Sequence, residues 1–173
     1  GQSELLEALG GFRKSQGSVS VYGQSLNLEN PSGQEIRDLS IAHVPEDRQR
    51  EGLIMDFTAW ENTAFGYHRD PVYKSGVLIN NTAIKKASQA KMHRFDIRPP
   101  NPYLAAKNFS GGNQQKIVLA REIEQNPDLL LIGQPTRGVD IGAIEFIHQQ
   151  VVALRDKGKA ILLVSVELEE ILS

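Results

Sequence analysis

Cysteine is absent from the chain. That excludes a disulfide framework and any thiolate metal site. No apolar run approaches the about 20 residues that a membrane-spanning helix needs, and no secretory signal is visible. Association with a membrane is therefore expected to run through a partner protein. The net charge is only -2, which gives no electrostatic footprint for nucleic acid. His43, His68, His93 and His148 are scattered and lack the spacing of metal ligands. Arg48, Arg50 and Arg69 form no basic stripe and read as solvated loop residues. Internal repeats and low-complexity segments are missing too. What remains is a chain of 173 residues, 40% hydrophobic and 23% charged, long enough for one domain with a sizeable core.

The sequence opens with Gly1-Gln2-Ser3-Glu4 and runs straight into Leu5, Leu6, Ala8 and Leu9, an apolar helical spacing that stops at Gly10-Gly11. A helix opened by Gly-x-Ser has two readings. It is a plain helix start, or it is the tail of a phosphate-binding loop of pattern G-x-x-x-x-G-K-[ST]. In the second reading Gln2 takes the Lys position. Residues 1–4 by themselves leave both open.

Alternation of Val19 and Val21 with serines predicts a half-exposed strand over 17–22, closed by Gly23. Asn30-Pro31 predicts an N-cap and first helical residue, with a short helix running to about Asp38. Residues 41–44 read as a strand stopped by Pro45, and 46–52 as a charged loop at its carboxyl end. Thr58 and Glu61 have capping-box spacing, so a helix starts there and ends near Gly66. Residues 67–76 show no clear period, and 80–95 read as a helix. Arg98-Pro99-Pro100-Asn101-Pro102 is a rigid connector. A helical insert thus spans about 54–108, between α/β portions at 1–53 and 109–173.

The most informative stretch is 108–140. Ser110-Gly111-Gly112 stands at the start of a helix predicted over 112–125. First-turn amides are unpaired and the helix dipole favours negative charge, so this is a ready anion site. Residues 128–132 form a continuous apolar run, as a strand covered on both faces should. A helix over 139–156, with Ile144, Ile147, Val151 and Leu154 as its apolar stripe, leads to a strand over 159–164 and a helix from Glu167 onward. The alternation argues a mainly parallel sheet, and polar residues after its strands lie at the ligand-binding edge of such folds.

Three sequences carry a family resemblance: V-P-E-D-R-Q-R-E-G-L after β-type residues 41–44, N-F-S-G-G-N-Q-Q-K at 108–116, and Q-P-T-R-G-V-D-I-G-A at 134–143. Across its whole length the chain resembles the nucleotide-binding domain of ATP-binding-cassette (ABC) ATPases. It is most similar to the second, C-terminal cassette of double-cassette proteins that energise simple-sugar and nucleoside importers. The resemblance implies a P-loop-type α/β cassette with an inserted helical subdomain, the first strands and most of the phosphate loop lying outside this sequence. It implies a head-to-tail pair of cassettes with ATP and Mg2+ at the interface, each ATP held between one cassette's phosphate loop and the other's signature.

On that reading Gly1, Gln2, Ser3, Glu4 and Glu46 serve the chain's own site, with Ser3 as the hydroxyl toward Mg2+. Gln2 replaces the phosphate-neutralising Lys, Gly133 the Walker B Asp, Gln134 the general-base Glu and Val166 the switch His. An amide cannot take a proton from water at neutral pH. The own site is therefore expected to hydrolyse poorly, and this chain alone to be inactive. Ser110, Gly111, Gly112, Asn113, Gln114 and Asp140 are the partner-facing set. The resemblance further implies permease subunits as partners and an extracytoplasmic substrate-binding protein indirectly. It places the chain at the cytoplasmic face of the membrane. Phe57, Trp60 and Phe65 have two readings: they form the core of the helical insert, or they line a groove that the resemblance implies for a short permease helix. The rival readings are a catalytically inactive docking or regulatory cassette, and a soluble ABC ATPase, which would be expected to keep its Walker B carboxylates.

Overall fold

The computed structural model describes residues 1–167 of the chain. Its centre is a parallel sheet of β3 (Ile41–Val44), β6 (Leu129–Gly133) and β7 (Ala160–Val164), in the order β3-β6-β7. The register pairs Ile41 with Leu129 and Val44 with Ile132, then Leu129 with Ala160 and Gly133 with Val164. All three strands consequently end at one edge, and Glu46, Gln134 and Val166 follow them there.

The middle strand shows why its sequence reads as unbroken apolar. Leu130, Leu131 and Ile132 are each 0% exposed. Successive side chains point to opposite faces. Leu130 and Ile132 pack with Ile117 and Val118 of α5 (Gly111–Ile123), and Leu131 packs with Leu6 of α1 (Gln2–Leu9) and Ile36 of α2 (Gly33–Asp38). Burial of such side chains stabilises by about 1.5–3 kcal/mol each, which makes this strand the seam of the fold. The helix α6 (Ile141–Asp156) closes the α5 side through Ile147 and Leu154.

The other expected elements appear with corrections. The strand over 17–22 contracts to β1 (Ser20–Val21), paired antiparallel with β2 (Gln24–Ser25) around Gly23 at φ 78. α2 starts later than Asn30-Pro31 implies. Its cap is Ser32, whose side chain accepts from the Glu35 N–H; Asn30 lies two residues before that cap. The charged loop is partly wound into a π-helical turn, Arg48–Gly52, capped by Asp47. The segment without clear period holds a 3-10 turn, Pro71–Tyr73, and a two-residue hairpin of β4 (Lys74–Ser75) and β5 (Leu78–Ile79).

α3 (Ala59–Ala64) begins as its capping box dictates: Glu61 accepts the Thr58 N–H at 2.8 Å. α4 (Asn81–Arg94) is capped by Asn80, which accepts from the Ala83 N–H at 3.0 Å. Trp60 packs with the small cluster of Ala64, Tyr73 and Ile84, whereas Phe57 and Phe65 are 40% and 48% exposed. Met92, Phe95 and Ile97 instead join the main core beside α5. The helix expected from Glu167 onward lies outside the described residues. Among the described residues no helix is long and apolar enough to cross a membrane.

Candidate functional site

The stretch 108–140 wraps from α5 to the cap of α6, and its two ends meet. Ser110 caps α5 and is exposed; its hydroxyl accepts from the Asn113 side-chain amide at 2.9 Å. Gly112 is buried under Asp140: a Cβ there would stand 2.7 Å from Asp140 Oδ2 and 3.1 Å from Ala143 Cβ. Gly111 is equally constrained, since its Cβ would meet Arg48 Nη2 at 2.6 Å and the Gly138 carbonyl at 2.9 Å. Close approach thus favours glycine at both positions, and of the first-turn amides the Asn113 N–H donates to the Ser110 hydroxyl at 3.4 Å.

Asp140 caps α6, its Oδ1 accepting from the Ala143 N–H at 2.9 Å. Asn113 Oδ1 accepts from the Arg98 N–H at 2.7 Å, fixing the rigid connector against the signature helix. Gln114 faces inward. It is 3% exposed, donates to the Ala106 and Phe109 carbonyls at 3.1 and 3.0 Å, and accepts from Gln49 at 2.9 Å. Of the residues expected to face a partner, Ser110 and Asp140 are exposed, while Gln114 supports the turn from beneath.

The loop after β3 reaches each part of this arrangement. Glu46 accepts from Gln134 at 3.0 Å. Arg48 donates to the carbonyls of Arg137 at 2.8 Å and Gly138 at 3.2 Å. Its burial lowers the guanidinium from the ordinary arginine value, which leaves it charged all the same. Sequence reasoning placed Arg48 in a solvated loop; the structure corrects this. The missed signal was its place one residue beyond Asp47, at the carboxyl edge of the sheet, facing a Gly-rich turn that has carbonyls to spare.

Ser3 and Glu46 line a cavity of about 100 Å3 together with Glu7, Asp47, Glu51 and Arg137. The carboxylates dominate. Burial first, then neighbouring Glu7 and Asp47, raise the Glu51 carboxyl above its ordinary value. Gln2 and Glu4 are exposed on the first turn of α1 and put no cation into this space. Val166 is 71% exposed and shares with Gln134, Ser165 and Gly138 a second cavity of about 400 Å3. Gln134 has φ 41, a left-handed conformation unusual for a residue other than glycine, held by its N–H on the Val164 carbonyl at 2.7 Å. Among the described residues no group of three or more His, Asp or Glu side chains is placed to hold a metal by itself.

The ABC transporter family profile matches residues 1–137. The chain belongs to the ABC transporter family. It is 44% identical over 175 residues to the nucleoside import ATP-binding protein NupA of Lactococcus lactis, covering 100% of this chain and 34% of that one. It is 45% identical to the guanosine import ATP-binding protein NupO of Bacillus subtilis, with the same coverage, and 39% identical to the glucose import ATP-binding protein TsgD13 of Haloferax volcanii, covering 99% and 32%. The chain thus spans about a third of the length of these relatives. In fold it matches a dimeric ATP-binding cassette in a post-hydrolysis state bound to ADP and Pi, with a TM-score of 0.75 at 22% identity over 97% of this chain and 71% of that one.

Proposed function

We propose that this ABC cassette couples ATP to import of nucleosides or simple sugars by supplying its signature turn to an ATP held by a second cassette. Ser110 and the α5 amides meet the terminal phosphate, and Asp140 joins the facing cassette. The observation that carries the reading is the construction of this turn. Arg48 packs on Gly111 and Asp140 on Gly112, while Ser110, which caps α5, stays exposed at the start of that helix. Preorganised donors of this kind are worth most where charge develops on a transferring phosphoryl group.

The own site is the degenerate half. Gln2, Gly133, Gln134 and Val166 stand where charge, metal support, base and switch are needed, and the surrounding carboxylates repel phosphate. Bound Mg2+ would neutralise phosphate charge there, and the residues fit it in part: the Ser3 hydroxyl and the Glu46 carboxylate line one cavity. A permease helix seated against exposed Phe57 and Phe65 would keep the chain peripheral at the cytoplasmic face, and an extracytoplasmic binding protein would deliver the substrate. The names of the nucleoside, guanosine and glucose import relatives support this class of cargo.

Ser110→Ala in the assembled transporter tests the reading. Loss of one phosphate-facing donor is expected to lower ATP turnover by about 100–1,000-fold. Unchanged turnover would leave this cassette a docking module with no part in phosphate chemistry.

A further inference from the structure

The end of β6 lacks carboxylates, yet the stem of a glutamate side chain from the loop after β3 occupies the space beside it. A Cβ on Gly133 would lie 2.5 Å from Glu46 Cγ and 2.8 Å from Leu6 Cδ1. Glu46 therefore fills the volume that any larger residue at 133 would need. One carboxylate oxygen, Oε2, accepts from the Gln134 amide at 3.0 Å. The other, Oε1, is buried and has no hydrogen-bond partner within the protein. An unpartnered buried carboxylate oxygen is costly unless a ligand, ion or water meets it. The cavity it lines is polar, includes the Ser3 hydroxyl, and measures about 100 Å3.

We propose that positions 46, 133 and 134 form one interlocked set, in which Glu46 is the cassette's own cation-facing carboxylate and replaces the one that β6 no longer carries. Gly133 admits it, and Gln134 must be an amide to sit beside it. The set accounts for the departures at 133 and 134 by one rearrangement across neighbouring strands. The inference rests on the own site meeting a metal-bound nucleotide, with phosphate oxygens completing a shell that the protein alone does not provide. Glu46 holds the cation end and Gln134 holds Glu46, a positioning role.

The interlock predicts a pattern of reversions in the whole import protein that contains this chain. Gln134→Glu alone sets two carboxylates at hydrogen-bond distance, where both cannot ionise freely. It is expected to lower the Tm by roughly 2–8 °C at pH 7. The exchange Glu46→Gln with Gln134→Glu restores one carboxylate–amide pair and is expected to return the Tm to that of the parent. A single variant as stable as the parent, or a double variant no better than the single, overturns the interlock.

The cation role has a separate readout. Mn2+ bound in the presence of excess ATP, counted by electron paramagnetic resonance, is expected to be one higher per protein in the parent than in Glu46→Gln. Equal counts overturn it. These outcomes are independent of the Ser110→Ala result, which reports on the partner's site.

Discussion

Arg48 joins the loop after β3 to the turn after β6, one guanidinium reaching the carbonyl oxygens of both Arg137 and Gly138, at 2.8 and 3.2 Å. The same group lies against the backbone of Gly111, so it holds three loops of the sheet edge in register. A charged donor to a carbonyl contributes about 1.5–3 kcal/mol. Arg48→Ala is expected to destabilise the chain by about 2 kcal/mol, read as a lower denaturant midpoint, and to reduce turnover of the assembled transporter. Arg48→Lys has one ammonium for two carbonyls and should recover only part of the loss.

Gly112→Ala tests the close approach directly. The added methyl would lie 2.7 Å from Asp140 Oδ2. Either α5 moves away from α6, or Asp140 gives up its bond to the Ala143 N–H. Both displace the outward face. Loss of ATP-driven dimerisation, measured by sedimentation with slowly hydrolysed ATP, is expected even where circular dichroism shows the helices intact.

Much of this was legible from local chemistry. The buried strand, read over 128–132 and found at Leu129–Gly133, the capping box of Thr58 and Glu61 and the Ser110 cap follow from local spacing, because each is set within about five residues. What could not be read needs two distant segments at once. Arg48 and Gly138 are 90 residues apart, and only the parallel pairing of β3 with β6 brings them together. Gln114 had the look of a ligand in a polar motif, yet its amide is spent on the carbonyls of Ala106 and Phe109. The Asn30 cap failed for a different reason. Two N-capping residues, Asn30 and Ser32, flank one Pro, and packing of Ile36 against Leu6 and Leu131 selects the later start.

His43 makes stability depend on pH. Burial is the main cause that lowers its imidazole from 6.5 to about 4. Its Nδ1 is buried without a hydrogen-bond partner, and its ring lies 5.1 Å from that of Phe12. The folded state therefore keeps the ring neutral, while the unfolded chain protonates it near 6.5. Stability is fully present above that value and is lost as pH falls toward 4, by at most about 3 kcal/mol. His43→Gln should flatten chemical-denaturation stability between pH 6.5 and 5, a range above the bulk of carboxylate titration.

Arg121 and Glu122 interrupt the apolar run of α5 and are 3% and 1% exposed. They pair at 2.7 Å, Arg121 donates to the Gly52 carbonyl at 2.8 Å, and the Tyr67 hydroxyl donates to Glu122. The helix is thereby tied both to the end of the charged loop and to the segment after α3. Two buried charges cost more in desolvation than an apolar pair would, so the pair is weak evidence of stabilisation. Removing one partner is another matter, because the other is left charged and buried. Arg121→Ala is expected to destabilise by about 3–5 kcal/mol. Replacing both, Arg121→Met with Glu122→Leu, should recover most of that stability in denaturant titrations. It should not recover transport-coupled turnover, because the anchor on Gly52 is gone and the loop bearing Arg48 loses its far support. A double variant that regains turnover along with stability would show that this buried pair only fills space.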